Sequence, residues 1–466
     1  MKRFFKPVSL IMLLALFITT GQGCFGGGSA PVEVPATPVT LEYWRVFDGE
    51  DTYKDIISRY RQLHPNVTIN YKRIRFADYD TELIRALAEG RGPDILNIHN
   101  TRLREFQNIL APMPDTVTIS ESRQTGGLQN KVITVAVEKQ TLSQKILKQA
   151  FVDQVAQDVI LDYQPDPDLP VESRVYGLPM SLDSLVLYYN RDLLNTAGIA
   201  TPPQTWEEFQ QAIIAITAYD AAGEIAQSGG AIGTAENVER STDLLTLLMM
   251  QNGSQMTDDR GRVTFNLIPT DAPEGVFPAL DATEFYTDFA NPTKEVYTWN
   301  KSFPTSFEAF ANGQTAFFFG YSYHLPLIKT TAPKLNFGTA KVPQISGGRE
   351  VNFANYWVES VAKTSKNQDW AWDFVQFAAQ EEQVASYLQK ARKPSALRNL
   401  IGTQVNDEEL GVFAEQTLTA RSWYRGNDAP KAETALKDLI NTILLNPEDR
   451  AAVINLSAKK VADTYR

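Results

Sequence analysis

The sequence has almost no cysteine: Cys24 is the only one in 466 residues. No internal disulfide can form, so the fold must rest on packing. Histidine is nearly as scarce, with 3 in the whole chain. There is no His-Glu-x-x-His, no cysteine pair and no Walker loop, so zinc hydrolase and nucleotidase readings have little support. After residue 23 no apolar run is long enough to make a transmembrane helix. Positive charge is also in deficit: 44 Lys plus Arg face 55 Asp plus Glu, a net charge of −11. That balance argues against nucleic acid as a partner and against a basic membrane-docking patch.

What is present begins at the N-terminus. Lys2, Arg3 and Lys6 precede an uncharged apolar stretch from Val8 to Thr19. At about 12 residues it is too short to cross a hydrocarbon layer roughly 30 Å thick. A basic start, a short apolar core and small residues at its end describe an export signal over 1–23. Gly23-Cys24 resembles the lipobox of bacterial lipoproteins, although Gly21 stands where leucine is usual. Gly21-x-Gly23 also suits ordinary signal cleavage, which would leave a free thiol. The lipobox implies lipidation of Cys24 and anchoring on the outer face of the cytoplasmic membrane. Loss of 1–23 removes three basic residues and leaves a net charge of −14. Residues 24–40, rich in Gly, Pro, Ser and Ala, read as a linker between membrane and globule.

The remaining chain is too long for one small core, and two lobes are expected. With 43% hydrophobic and 11% aromatic residues it can fill both. Val39–Trp44 alternates as a strand, Asp51–Leu63 has helical spacing, and His64-Pro65-Asn66 stops it. Val67–Ile74 is a second strand, Tyr79–Leu87 a second helix, and Pro93–Ile98 a third, buried strand. This alternation predicts an α/β fold with a parallel sheet and crossover helices. Ligands then sit beyond the carboxyl ends of the strands, at Trp44-Arg45, Arg75-Phe76 and Asn97–Asn100.

Several blocks now line up. They are Tyr43-Trp44, His64-Pro65-Asn66-Val67, Ala86-Leu87-Ala88-Glu89-Gly90 and Gly92-Pro93-Asp94-Ile95. Tyr176-Gly177-Leu178-Pro179, Leu187–Leu193, Pro203–Phe209, Phe310–Ala316 and Arg392-Lys393-Pro394-Ser395 follow in order. Together they resemble the extracellular solute-binding proteins of ABC importers, in the family that includes maltose- and oligosaccharide-binding members. The resemblance covers about 40–400 well and 400–466 loosely. Residues 115–170 depart from it and read as a partly helical insertion, with a polar loop at Gln124–Asn130 and helix within Leu142–Leu161.

The resemblance implies a two-lobed periplasmic-binding-protein fold with a hinge and an interlobe cleft. Lobe one would hold 41–182 and 358–408, and lobe two 184–354 and 410–466. The crossings would lie near Ser181–Asp183, Asn355–Trp357 and 405–415. A polar solute, with sugar or oligosaccharide favoured, would be captured by hinge closure and passed to the transmembrane subunits of an ABC permease. No cofactor or metal is implied, and the protein would act as a monomer.

Candidate ligand residues follow from these positions. Trp44 and Arg45 end the first strand, and Asn97, His99 and Arg102 lie at or after the third. Ser181 and Asp183 lie on the first crossing, and Asn355, Tyr356 and Trp357 on the second. Tyr321, Ser322 and Tyr323 follow Gly320, where the family usually carries Gly-x-Trp. Trp423, Tyr424 and Arg425 lie on a late loop. Aromatic faces suit the apolar side of a sugar ring, while Asp, Asn and Arg bond its hydroxyls. His99 has no second His or Cys near it in sequence, so it reads as a hydrogen-bonded histidine and not a metal ligand.

Other residues have structural readings. Thr205-Trp206-Glu207-Glu208 is a helix start with a Thr cap, and Trp206 is a packing residue. Asp94 is expected to brace a helix end. Trp370, Phe374 and Phe377 form a core stripe. Asp258-Asp259-Arg260-Gly261 reads as a hairpin turn.

Two alternatives stay open: a scaffold or adhesin lipoprotein on the same fold without a ligand, and a cell-surface glycoside hydrolase. The second needs a carboxylate pair that sequence alone does not place. Gly320-Tyr321-Ser322-Tyr323-His324 falls one residue short of a nucleophile elbow, because His324 crowds the position of the last glycine.

Overall fold

A computed structural model describes residues 34–124, 132–270, 272–445 and 448–466. The export signal, Cys24, most of the linker and nearly all of the 124–130 loop lie outside the described residues.

Alternating burial makes Val39–Val46 (β1) and Val67–Ile74 (β2) strands, and Ile95–His99 (β3) is buried on both faces. β1 pairs in parallel with both β2 and β3. Between β1 and β2 runs Glu50–Leu63 (α1), which buries Tyr53, Ile56 and Tyr60 at helical spacing. Phe76–Ala88 (α2) buries Tyr79, Leu83 and Ala86 in the same way. A branched aliphatic such as Ile56 or Leu83 taken out of water contributes about 1.5–3 kcal/mol. A late strand, Trp357–Ala362, inserts antiparallel between β3 and Leu110–Ala111 (β4). The carboxyl ends of β1, β2 and β3 and the start of this late strand share one edge of the sheet.

Asp94 ties that sheet together. Its carboxylate accepts from the Glu42 N–H at 2.8 Å and from the Ser365 hydroxyl. Ser365 in turn accepts from the N–H of Asn367, which caps the helix Gln368–Ala378. The Asp94 brace therefore reaches the helix end through Ser365. Trp370 and Phe374 on that helix are buried in the core, with Phe377 packed against it.

Residues 115–170 hold helix within Leu142–Leu161 as expected, preceded by a hairpin that the expectation did not include. Thr116–Gln124 (β5) pairs antiparallel with Val132–Gln140 (β6) over its whole length. Val117, Ile119 and Val135 are buried while their neighbours are not, a period of two that marks strand. Helix is confined to Gln144–Ala150 and Asp153–Val159, before a second short hairpin, Ile160–Tyr163 with Glu172–Val175.

The second lobe has its own five-stranded sheet, in which Thr315–Gly320 lies between Ile225–Gly230 and Val186–Asn190. Phe317 and Phe319 pack from it onto Trp206 and Phe209. The helix bearing these two rings starts with a capping box: Glu208 N–H donates to Thr205 Oγ1 and the Glu208 carboxylate reaches back to the cap. Trp206 is buried and donates to Gln251, as a packing residue. Asp258–Arg262 closes a tight turn, with Gly261 at φ +73°.

One core gathers residues from 39 to 182 and from 354 to 401, together with Ala420. Three further clusters draw on 185–353 and 410–461. Between the two sets lies a three-stranded sheet of short pieces: Asp183–Ser184, Asn352–Asn355 and Ala420–Arg421. Asn355 pairs with Asp183, and Phe353 with Arg421. The chain thus passes between the lobes through a narrow bundle of strand segments, a geometry suited to bending. Among the described residues no helix is long and apolar enough to cross a membrane.

Candidate functional site

A cavity lies where the lobes meet. Lobe one supplies His99 and Thr101, and lobe two supplies Arg240, Asp243 and Glu433. The crossing segments add Asn355, Trp423 and Tyr424. Its free volume is only about 40 Å3, room for a few waters. The lobes are drawn together over it, so a sugar ring requires them to part.

The wall of lobe one is set by β3. His99 ends that strand, with Nδ1 2.7 Å from Thr101 Oγ1 and Nε2 3.1 Å from Asn355 Oδ1. Asn355 Oδ1 can only accept, so His99 donates from Nε2 and takes the Thr101 proton at Nδ1. Burial pushes the imidazole down to about 4, and the Arg240 charge adds to this. His99 is therefore neutral at physiological pH.

The wall of lobe two is a charged lattice. Arg240 holds both carboxylate oxygens of Asp243 at 2.8 Å and lies 3.8 Å from Glu433. Asp243 also accepts from the Tyr321 hydroxyl at 2.6 Å. Arg240 sits at φ +56°, in the left-handed region, immediately before the helix Ser241–Gln251. Burial raises Glu433 above the ordinary carboxylate range. This wall offers both donors and acceptors, which suits a hydroxyl-rich neutral solute.

Asp183 links the hinge to lobe two. Its Oδ2 accepts from the Ser322 N–H at 3.0 Å and the Ser322 hydroxyl at 2.6 Å. Burial pushes the carboxyl up to about 6, against the opposing effect of these bonds. The Ser322 hydroxyl is thereby committed to Asp183. His324 takes the Tyr321 N–H on Nδ1 and faces Glu239 through Nε2 at 3.1 Å, so it does not serve Ser322. A Cβ at Gly320 would come within 2.7 Å of His324 Nδ1, which accounts for glycine at that turn.

Four of the sequence candidates line the cavity: His99, Asn355, Trp423 and Tyr424. Asp183 pairs with Asn355 and Trp357 meets His99, so both lie beside it, while Tyr323 stacks on Tyr321 with its own ring exposed. The others have been placed elsewhere by their own bonds. Trp44 is buried in lobe one, with the Lys72 ammonium 4.3 Å from its ring. Arg45 is buried between Asp48 and Glu359, at 2.8 and 2.9 Å, over the Tyr53 ring. Asn97 is fully buried and donates to Glu359. Arg102 is spent on Asp80 and Glu105. Ser181 bridges to Ser395. Tyr321 and Tyr356 are interior, with their hydroxyls on Asp243 and Asp158 respectively. Arg425 also lies on Asp158, at 3.1 Å. These side chains build the frame and leave little surface for a solute. Arg240, Asp243 and Glu433 were missed, because nothing local marks three charges that converge only after folding.

A roomier cavity of about 500 Å3 lies within lobe one, between Gln144–Ala150 and the start of the helix Glu381–Ala391. One lobe supplies all of its lining, so hinge closure does not act on it.

The profile of the bacterial extracellular solute-binding proteins matches residues 48–385. A maltodextrin-binding protein of Bacillus subtilis is 25% identical over 262 residues, 53% of this chain and 56% of that protein. The chain spans a little over half the length of this and other curated relatives it matches. Among solved structures, the cyclic α-maltosyl-1,6-maltose binding protein of Arthrobacter globiformis superposes with a TM-score of 0.68 at 18% identity, over 92% of this chain and 99% of that one. A cyclo/maltodextrin-binding protein complexed with maltotetraose gives 0.68 at 16% identity, over 92% and 97%. At these identities the structural likeness shows the fold.

Proposed function

Because the chain belongs to the bacterial extracellular solute-binding proteins, we propose that it captures a sugar or oligosaccharide between its lobes and delivers it to an ABC permease. The carrying observation is the cavity at the hinge, which both lobes and the crossing strands line together. Only contacts made with both lobes favour the closed state, and His99 on one side with Arg240 and Asp243 on the other meet that condition. The lobes divide at 182–184 and again near 355–357. In this reading the protein breaks no bond, is a monomer, and is held outside the cytoplasmic membrane by lipid on Cys24. The names of the maltodextrin and maltosyl-maltose binders support carbohydrate as the solute class.

The test is a thermal-shift and calorimetric screen of mono- and oligosaccharides, with polyols, peptides and polyamines as controls. At 100 times its dissociation constant, a true solute stabilises by about 2.7 kcal/mol. Stabilisation by a control class alone would reassign the solute. Turnover of a glycoside would replace binding with hydrolysis.

A further inference from the structure

Phe47 carries an unusual backbone. The Asp48 N–H donates to the Val46 carbonyl at 2.7 Å, closing a three-residue turn with Phe47 at φ +61°. Such a γ-turn around a bulky non-glycine residue is rare and strained. It persists because Asp48 is fixed from several sides. The Asp48 carboxylate accepts from Arg45, Tyr387 and Lys393 at 2.7–2.9 Å, and its carbonyl accepts from Tyr71. The result is a phenylalanine 55% exposed at the end of β1.

Phe47 does not stand alone. Phe76, which opens α2 just past β2 and is 59% exposed, stacks on it at 5.4 Å between ring centroids. Trp357 meets Phe47 and Phe76 edge-on at 5.7 and 6.0 Å. Trp357 also meets His99 at 5.3 Å, and His99 lines the interlobe cavity. A continuous aromatic surface therefore leads from the cavity wall outward along the strand-end edge of lobe one. Strain of about 1–3 kcal/mol is retained to hold one of its rings in water.

We propose that Phe47, Phe76 and Trp357 form a stacking platform for the ring faces of an oligosaccharide, one subsite outward from the cavity. The proposal rests on the solute-binding reading above. A pyranose presents an apolar face of C–H groups, which an exposed aromatic surface recognises without needing further polar partners. With the lobes parted, the cavity takes the polar end of the ligand, and the platform holds the units that follow. The protein then selects for length.

The experiment measures calorimetric affinity for malto- and β-1,4-galacto-oligosaccharides of increasing length. The wild-type protein is compared with Phe47→Gly, Phe76→Ala and the double variant. The glycine relieves the left-handed backbone, so Phe47→Gly keeps or raises the melting temperature, and lost binding is not lost folding. The double variant is expected to lose about tenfold in affinity for longer chains, with mono- and disaccharides unaffected. Equal affinity of wild type and double variant at every length overturns the platform while the solute-binding reading stands. Unchanged binding with failed uptake in permease vesicles also overturns it, and makes the patch a permease contact. No binding of any saccharide by the wild type overturns the carbohydrate reading and the platform together.

Discussion

His99 Nε2 lies 3.1 Å from Asn355 Oδ1, which joins the end of a lobe-one strand to the segment that crosses between lobes. The contact holds one tautomer of a neutral imidazole. In the unfolded chain His99 reverts to its ordinary value of 6.5, against about 4 when folded. Between those values the unfolded state binds the extra proton. The stability His99 contributes is therefore full above pH 6.5 and lost as pH falls through about 4. Its upper limit is about 3 kcal/mol. Imidazole NMR should show His99 titrating well below an exposed histidine. His99→Gln should flatten that part of the pH–stability curve.

Asp183 works in the opposite direction. Its folded value of about 6 lies above the ordinary 3.8, so its contribution is full below pH 3.8 and lost as pH rises through about 6. Asp183→Ala strands the buried Ser322 N–H and hydroxyl. Urea denaturation near pH 4, where that contribution is present, should register a loss of about 1–3 kcal/mol. Sugar affinity should fall too, because the bond joins the hinge to lobe two.

Tyr356 separates frame from site. Its hydroxyl is buried on Asp158, which also takes bonds from Asn100, Gln154 and Arg425. Tyr356→Phe should cost about 1 kcal/mol in denaturant unfolding and leave saccharide affinity unchanged. A lower affinity would return Tyr356 to the ligand surface.

Cys24 is tested in the cell. With Cys24→Ser the protein should move from the membrane fraction to the soluble fraction. Mass spectrometry of the wild-type N-terminus should show an acylated cysteine. A free thiol there would remove the anchor and leave the solute-binding reading intact.

The fold was legible where spacing is local. The span of β2 follows from alternation alone, and the Thr205–Glu208 capping box follows from four consecutive residues. The β5–β6 hairpin carried the same alternating signal on both sides of the expected Gln124–Asn130 loop, but its strands were not assigned. The site was less legible. Trp44 and Arg45 end a strand on the expected edge, but the side chains that face water there are Phe47 and Phe76. No local rule anticipates that buried contacts of Asp48 force its neighbour into a left-handed turn. Nor does spacing reveal that Asn97 and Arg45 share Glu359, which lies more than 250 residues downstream.

The late strand Trp357–Ala362 lies between β3 and β4 in the lobe-one sheet. Lobe one therefore lacks the two ladders that join β3 to β4 until about three-quarters of the polypeptide has been made. A newly synthesised chain stays unable to complete either lobe in isolation, because lobe two also draws helices from the last 60 residues. Completion of both lobes therefore waits until nearly all of the chain has been made.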